Sequence, residues 1–92
     1  MEQTFNAILI HPDDNVATVT AELHDGDTVC YRNGEQILTL TTSGAPIYHK
    51  IAVTAIQKGQ PVRKYGEVMA VATKDIPKGA HVHTHNVASA IQ

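Results

Sequence analysis

His81, His83 and His85 alternate with Val82 and Thr84 and make up half of the six histidines in the chain. On an extended segment all three imidazoles project from one face, with neighbours about 6.5–7 Å apart, so adjacent pairs can share one metal ion. Imidazole suits Zn, Fe, Ni or Cu, although this spacing differs from helical His-x-x-x-His pairs and from Cys-x-x-Cys sites. No fourth ligand stands nearby in the sequence. The same run also reads as a solvated strand with incidental metal affinity.

Two further groups could carry chemistry. His11 opens the turn His11-Pro12-Asp13-Asp14-Asn15, where Asp and Asn side chains can bond their own backbone. An imidazole there can act as acid, base, ligand or donor. Tyr48-His49-Lys50 and Arg63-Lys64-Tyr65-Gly66 together supply three cations, an imidazole and two phenols. Such a set suits a carboxylate or sulfonate through charge-assisted hydrogen bonds, and solvated loop charge is the plainer alternative. There is no Ser-His-Asp order, phosphate-cradling glycine loop or carboxylate dyad, so a self-sufficient hydrolase is disfavoured.

The elements that must position these residues are strands. With no Trp and one Phe, the core falls to Val, Ile, Leu, Ala and Met, and the many Val and Thr residues favour a pleated surface. Alternation is clear over 16–23, 37–41 and 67–73, and no dozen residues hold a helical stripe. Asn33-Gly34 predicts a hairpin with a type I′ turn between strands 29–32 and 36–40. The pattern apolar-x-x-Gly-x-x-Val recurs at Leu23–Val29, Ile56–Val62 and Ile76–Val82, each copy a tight corner. The stretch 42–46 is the most loop-like and is expected to separate two halves.

Ninety-two residues make a single domain over 1–92 with one modest core. A charge of −2 without any basic run disfavours nucleic acid as a partner. The lone Cys30 makes no internal disulfide, and the apolar run 7–10 is too short for a signal peptide or a membrane span. A cytoplasmic protein with no membrane partner is expected.

Five stretches, taken in order, resemble the N-terminal SAF-type domain of the altronate and galactarate dehydratase family, also found as the small subunit of sulfolactate sulfo-lyase. They are Ile10-His11 with Asp14-Asn15-Val16-Ala17, His49-Lys50-Ile51-Ala52, Ile56–Gly59, Lys64-Tyr65-Gly66, and Ile76–Gly79 with His81 through Asn86. At the position before His49 the family usually has Gly, and this chain has Tyr48.

The resemblance implies a mainly β, SAF-type β-clip fold with short hairpins. It implies a non-autonomous small partner of a large catalytic lyase subunit that eliminates water or sulfite from a 2-hydroxy carboxylate. It further implies a divalent metal, Fe²⁺ or a similar ion such as Mn²⁺. Metal use has a chemical reason, since an ion bound by the substrate's carboxylate and hydroxyl acidifies the adjacent C–H. By the same resemblance His11 and His49 are catalytic candidates, Lys50 and Tyr65 are substrate or interface donors, Asn15 is a substrate-binding candidate, and His81, His83 and His85 are metal candidates. The His-rich end matches altronate-type and sulfo-lyase members better than galactarate-type ones. Because the sequence stops soon after that end, the large part is expected on a separate polypeptide. The reading from a different class is a stand-alone SAF-like module that binds a sugar acid or a protein without catalysis.

Overall fold

Strand β2 (Val16–Val19) and strand β5 (Lys50–Ala52) form the middle of the molecule, and both are buried on their two faces. Alternation along them explains why. Ala17 and Val19 of β2 and Ile51 of β5 join one apolar cluster, while Val16 and Ala52 join another, so each strand feeds two cores. The computed structural model describes residues 5–89, and the outermost positions of the expected 1–92 unit lie outside them.

Around this pair the elements run β1 (Ala7–Ile8), β2, β3 (Thr28–Asn33), β4 (Gln36–Thr41), β5, β6 (Pro61–Lys64), β7 (Glu67–Ala72), β8 (His81–Val82) and β9 (Val87–Ser89). The central sheet has the order β1-β2-β5-β8 and is antiparallel throughout. The hairpin β3-β4 covers one face with Val29, Tyr31 and Leu40, and the β6-β7-β9 sheet covers the other with Val62, Ala70 and Ala72. Among the described residues every regular element is a strand, as the sequence predicts, and no helix is long and apolar enough to cross a membrane.

Three expectations need correction. The β3-β4 hairpin forms, but Asn33 still pairs with Gln36, so the loop is Gly34-Glu35. Only Gly34 there has positive φ, which matches the type II′ requirement of a glycine at the first loop position. The alternating run 16–23 is strand only to Val19, after which Leu23 makes an isolated bridge to Ala45. The stretch 42–46 joins the halves rather than separating them. The buried Thr42 donates its hydroxyl to the Gly79 carbonyl at 2.7 Å, and Ser43 N donates to the same oxygen at 3.2 Å.

The corners are turns closed by a backbone bond three residues back: Asp27 to His24, His49 to Pro46, Gln60 to Gln57 and Ala80 to Pro77. The third residue of each, Gly26, Tyr48, Gly59 and Gly79, has positive φ, the conformation a type II turn requires there. The sequence displays three of these corners. The fourth is hidden because Tyr48 stands where the others carry glycine.

Candidate functional site

Position along β5 and β8 decides which side chains meet. Lys50 pairs with Val82 and Ile51 with His81, and the same register carried one step further sets position 49 against 83. Pleating then puts His49 and His81 on the face of Ile51, with Lys50 and Val82 on the opposite face. The expected extended run from His81 to His85 is not observed, because β8 ends at Val82 and residues 83–86 form a turn. The buried Asn86 enforces it: its Oδ1 accepts from His83 N at 3.0 Å, its Nδ2 donates to His81 O at 2.8 Å, and its own N donates to His83 O at 3.0 Å. A short polar side chain that bonds neighbouring backbone competes with continued strand pairing, and here it prevails.

The turn folds the rings back on each other. His49 Nδ1 lies 2.9 Å from His81 Nε2, one ring donating and the other accepting. The His83 ring is stacked on His81 with centroids 5.6 Å apart and sits 4.9 Å from the His49 ring. One ligand nitrogen from each of His49, His81 and His83 can be chosen so that all lie within 4.8 Å. His85 packs its ring 5.4 Å from His81 but is not part of this trio. His49, found 32 residues before His81, therefore takes the place that adjacency in sequence suggested for His85.

Burial lowers the proton affinity of His81, and the neighbouring His49, His85, His83 and Lys50 lower it further. The ring thus stays neutral to more acidic pH than a free imidazole, and only neutral imidazole ligates a metal.

Against the opposite face of the central sheet lies a groove of about 240 Å³. Lys50, Lys64, His83 and Thr84 supply its polar groups, over apolar walls that include Val62, Met69 and Val82. His83 is common to the imidazole trio and the groove. Two ammonium groups beside a potential metal site suit a small carboxylate or sulfonate.

His11, Asn15 and Tyr65 form a second group, organised by buried Asp14. Its Oδ2 accepts from His11 N at 3.1 Å and from Tyr65 N at 3.0 Å, and its Oδ1 accepts from Gly66 N at 2.8 Å. Tyr65 and Gly66 connect β6 to β7 with positive φ at both, the type I′ pattern, in which a tyrosine is unusual. The Asp14 carboxylate holds that turn in place. Asn15 is occupied with backbone, donating Nδ2 to Pro61 O at 2.9 Å and accepting from Arg63 N at 2.8 Å. Tyr65 is exposed, with the Lys64 ammonium 4.9 Å from its ring centroid. Lys64 therefore stands between the groove and the His11 corner. Of this scaffold, the sequence marks Asp14 only as a turn-forming residue and Asn86 only as the end of the His-rich stretch, and it gives no sign of the groove walls Met69 and Val87.

Comparison with known proteins agrees with the resemblance read from the sequence. Residues 5–90 match the altronate/galactarate dehydratase SAF domain. The chain is 46% identical over 79 residues to altronate dehydratase of Escherichia coli K12, and 31% identical over 80 residues to that of Bacillus subtilis 168. Each match takes in 86% of this chain and 15% of the relative. It is also 46% identical over 41 residues to the alpha subunit of (2R)-sulfolactate sulfo-lyase from Paracoccus pantotrophus, which is 45% of this chain and 61% of that subunit.

Proposed function

Since the chain belongs to the altronate/galactarate dehydratase SAF domain family, we propose that it is the small part of a metal-dependent lyase that works with a large catalytic subunit. The substrate is a 2-hydroxy carboxylate, and the group eliminated is water, as in an altronate dehydratase, or sulfite, as in a sulfolactate sulfo-lyase. The observation that carries this reading is the junction at His83 between a three-imidazole cluster and a groove with two lysines.

The donor set fits a divalent ion. Two nitrogens on one ion at about 2.0–2.1 Å lie about 3.0–3.4 Å apart. To reach that spacing from the 2.9 Å hydrogen-bonded approach, His49 and His81 need a small ring rotation and a tautomer change that moves the shared proton to the far nitrogen of the donating ring. His49, His81 and His83 are the residues that would hold such an ion. When bound, the ion supplies Lewis acidity toward the carboxylate and hydroxyl oxygens of the substrate.

The remaining work falls to this chain's own groups. Lys50 and Lys64 neutralise and orient the anionic end of the substrate, and the apolar walls of the groove limit water around it. His11 and Tyr65 meet the substrate from the Lys64 side. The large subunit provides the group that removes the C–H proton.

The test is a native pull-down of this chain from its source cells, followed by turnover assays of the recovered complex on altronate, galactarate and sulfolactate. A stoichiometric large subunit and elimination from one of these acids is the expected result. Recovery of the chain alone, with divalent metal present at low salt, would favour the non-catalytic binding module instead.

A further inference from the structure

We infer that the Asp14 corner holds His11 in one tautomer, Nδ1 bare and Nε2 protonated, so that His11 meets an oxyanion of the ligand as a hydrogen-bond donor and not as a base. The identity of that ligand as a hydroxy-acid anion rests on the lyase reading; the tautomer does not.

The backbone N–H of Asp13 points at His11 Nδ1 across 3.1 Å. A backbone amide can only donate, so the bond exists only while Nδ1 keeps its lone pair. In the neutral ring the proton must then sit on Nε2, because the hydrogen bond at one ring nitrogen sets the state of the other. The turn that aims this amide is closed by Asp14 N on His11 O at 3.0 Å and by Asp14 Oδ2 on His11 N. Pro12 at its second position presets φ for such a turn.

The ring itself is held from below. A Cβ built on Gly66 would lie 3.0 Å from both His11 Nε2 and Cδ2, so the imidazole rests on bare backbone at a residue whose φ of +75° also calls for glycine. That glycine is fixed by the same Asp14 carboxylate through Gly66 N. One buried side chain thus sets both the amide that selects the tautomer and the surface on which the ring lies. The side chain of His11 remains 44% exposed, which leaves its edge accessible to a ligand. The Asp13 carboxylate, 3.9 Å from Nδ1 and largely in solvent, is too weakly placed to demand a proton there. Asp14 is accordingly a positioning residue for His11.

The experiment is long-range ¹H–¹⁵N correlation on the full chain labelled at the histidine ring nitrogens, with His11 assigned by His11→Gln. With its ring neutral, His11 is expected to show one tautomer with protonated Nε2, and Asp14→Asn is expected to convert it to an averaged pair. A protonated Nδ1, or averaging already in the parent chain, overturns the inference without need of any variant. A fixed tautomer that survives Asp14→Asn in a folded chain overturns the role of Asp14.

Malate, a simple 2-hydroxy acid, then serves as the ligand probe. Movement of the His11 Nε2–H resonance supports the donor role, and His11→Gln, which retains an amide donor, is expected to keep malate affinity within about threefold, whereas His11→Ala loses about tenfold. Movement of His83 without His11 overturns the donor role. If malate moves no histidine, the ligand reading fails while the tautomer result stands.

Discussion

His49 Nδ1 and His81 Nε2 lie 2.9 Å apart although 32 residues separate them in the chain. The pairing of β5 with β8 brings them together, and the turn fixed by Asn86 adds His83 from the same side. Replacing His49 or His81 by Ala should therefore weaken Zn²⁺ or Co²⁺ binding by at least about tenfold, since each removes one of three ligands. His85→Ala should leave it within about threefold. Calorimetric titration of the four chains distinguishes this ligand set from the sequential trio His81, His83 and His85, for which His85→Ala would be as damaging as His81→Ala. In the two-part lyase proposed above, His49→Ala is expected to reduce turnover by at least about tenfold.

Tyr48 has φ of +68°, stands at the glycine position of its corner and is 71% exposed. A non-glycine residue in this region costs about 1–2 kcal/mol, and an exposed ring recovers little of that by packing. Glycine also loses more backbone freedom on folding, which offsets part of the gain. Tyr48→Gly should raise stability by about 0.5–1 kcal/mol in denaturant unfolding. If the variant is equally or less stable, the Tyr48 ring makes compensating contacts. A chain that gains stability but loses affinity for the proposed large subunit would assign the strained tyrosine to that contact.

The same residue shows where sequence reading reaches and stops. Three corners were legible because Gly26, Gly59 and Gly79 share one spacing, and the fourth was not, because a tyrosine gives no sign of positive φ until its turn is closed. Strand alternation exposed the β-rich class, and Asn33-Gly34 exposed the β3-β4 hairpin, but nothing marked the β6-β7 one. Alternation did not reveal that β2 and β5 serve two cores, since Val16-Ala17 reads simply as an apolar pair. At the site, the resemblance singled out His49 and the His-rich end separately. Their union depends on a non-local register and on a turn set by one buried Asn, and neither is encoded in local periodicity.

Thr18 Oγ1 is buried without a hydrogen-bond partner among the described residues, while the backbone around it is paired through β1 and β5. Valine has nearly the same shape, prefers strand and brings no hydroxyl to desolvate. Thr18→Val should therefore stabilise the chain by about 1 kcal/mol. The measurement is a urea midpoint at unchanged slope. A loss of stability would mean that the hydroxyl is satisfied in solution and that removing it is the costly change.

Acid should weaken the metal-free chain through His81. Its folded proton affinity is lowered from the ordinary 6.5, first by burial and then by the surrounding His49, His85, His83 and Lys50. Between the lowered value and 6.5 the unfolded chain binds more protons than the folded one, so stability rises with pH across this window. The contribution is fully present above 6.5 and is lost as pH falls through the folded value. Urea unfolding in the presence of chelator, repeated across this range, should show the slope in the parent chain and a smaller one in His81→Gln. An equal slope in both would locate the acid sensitivity elsewhere. With saturating Zn²⁺ the parent chain should become still more pH-dependent, because the ion competes with protons for the imidazoles and stabilises only the folded state.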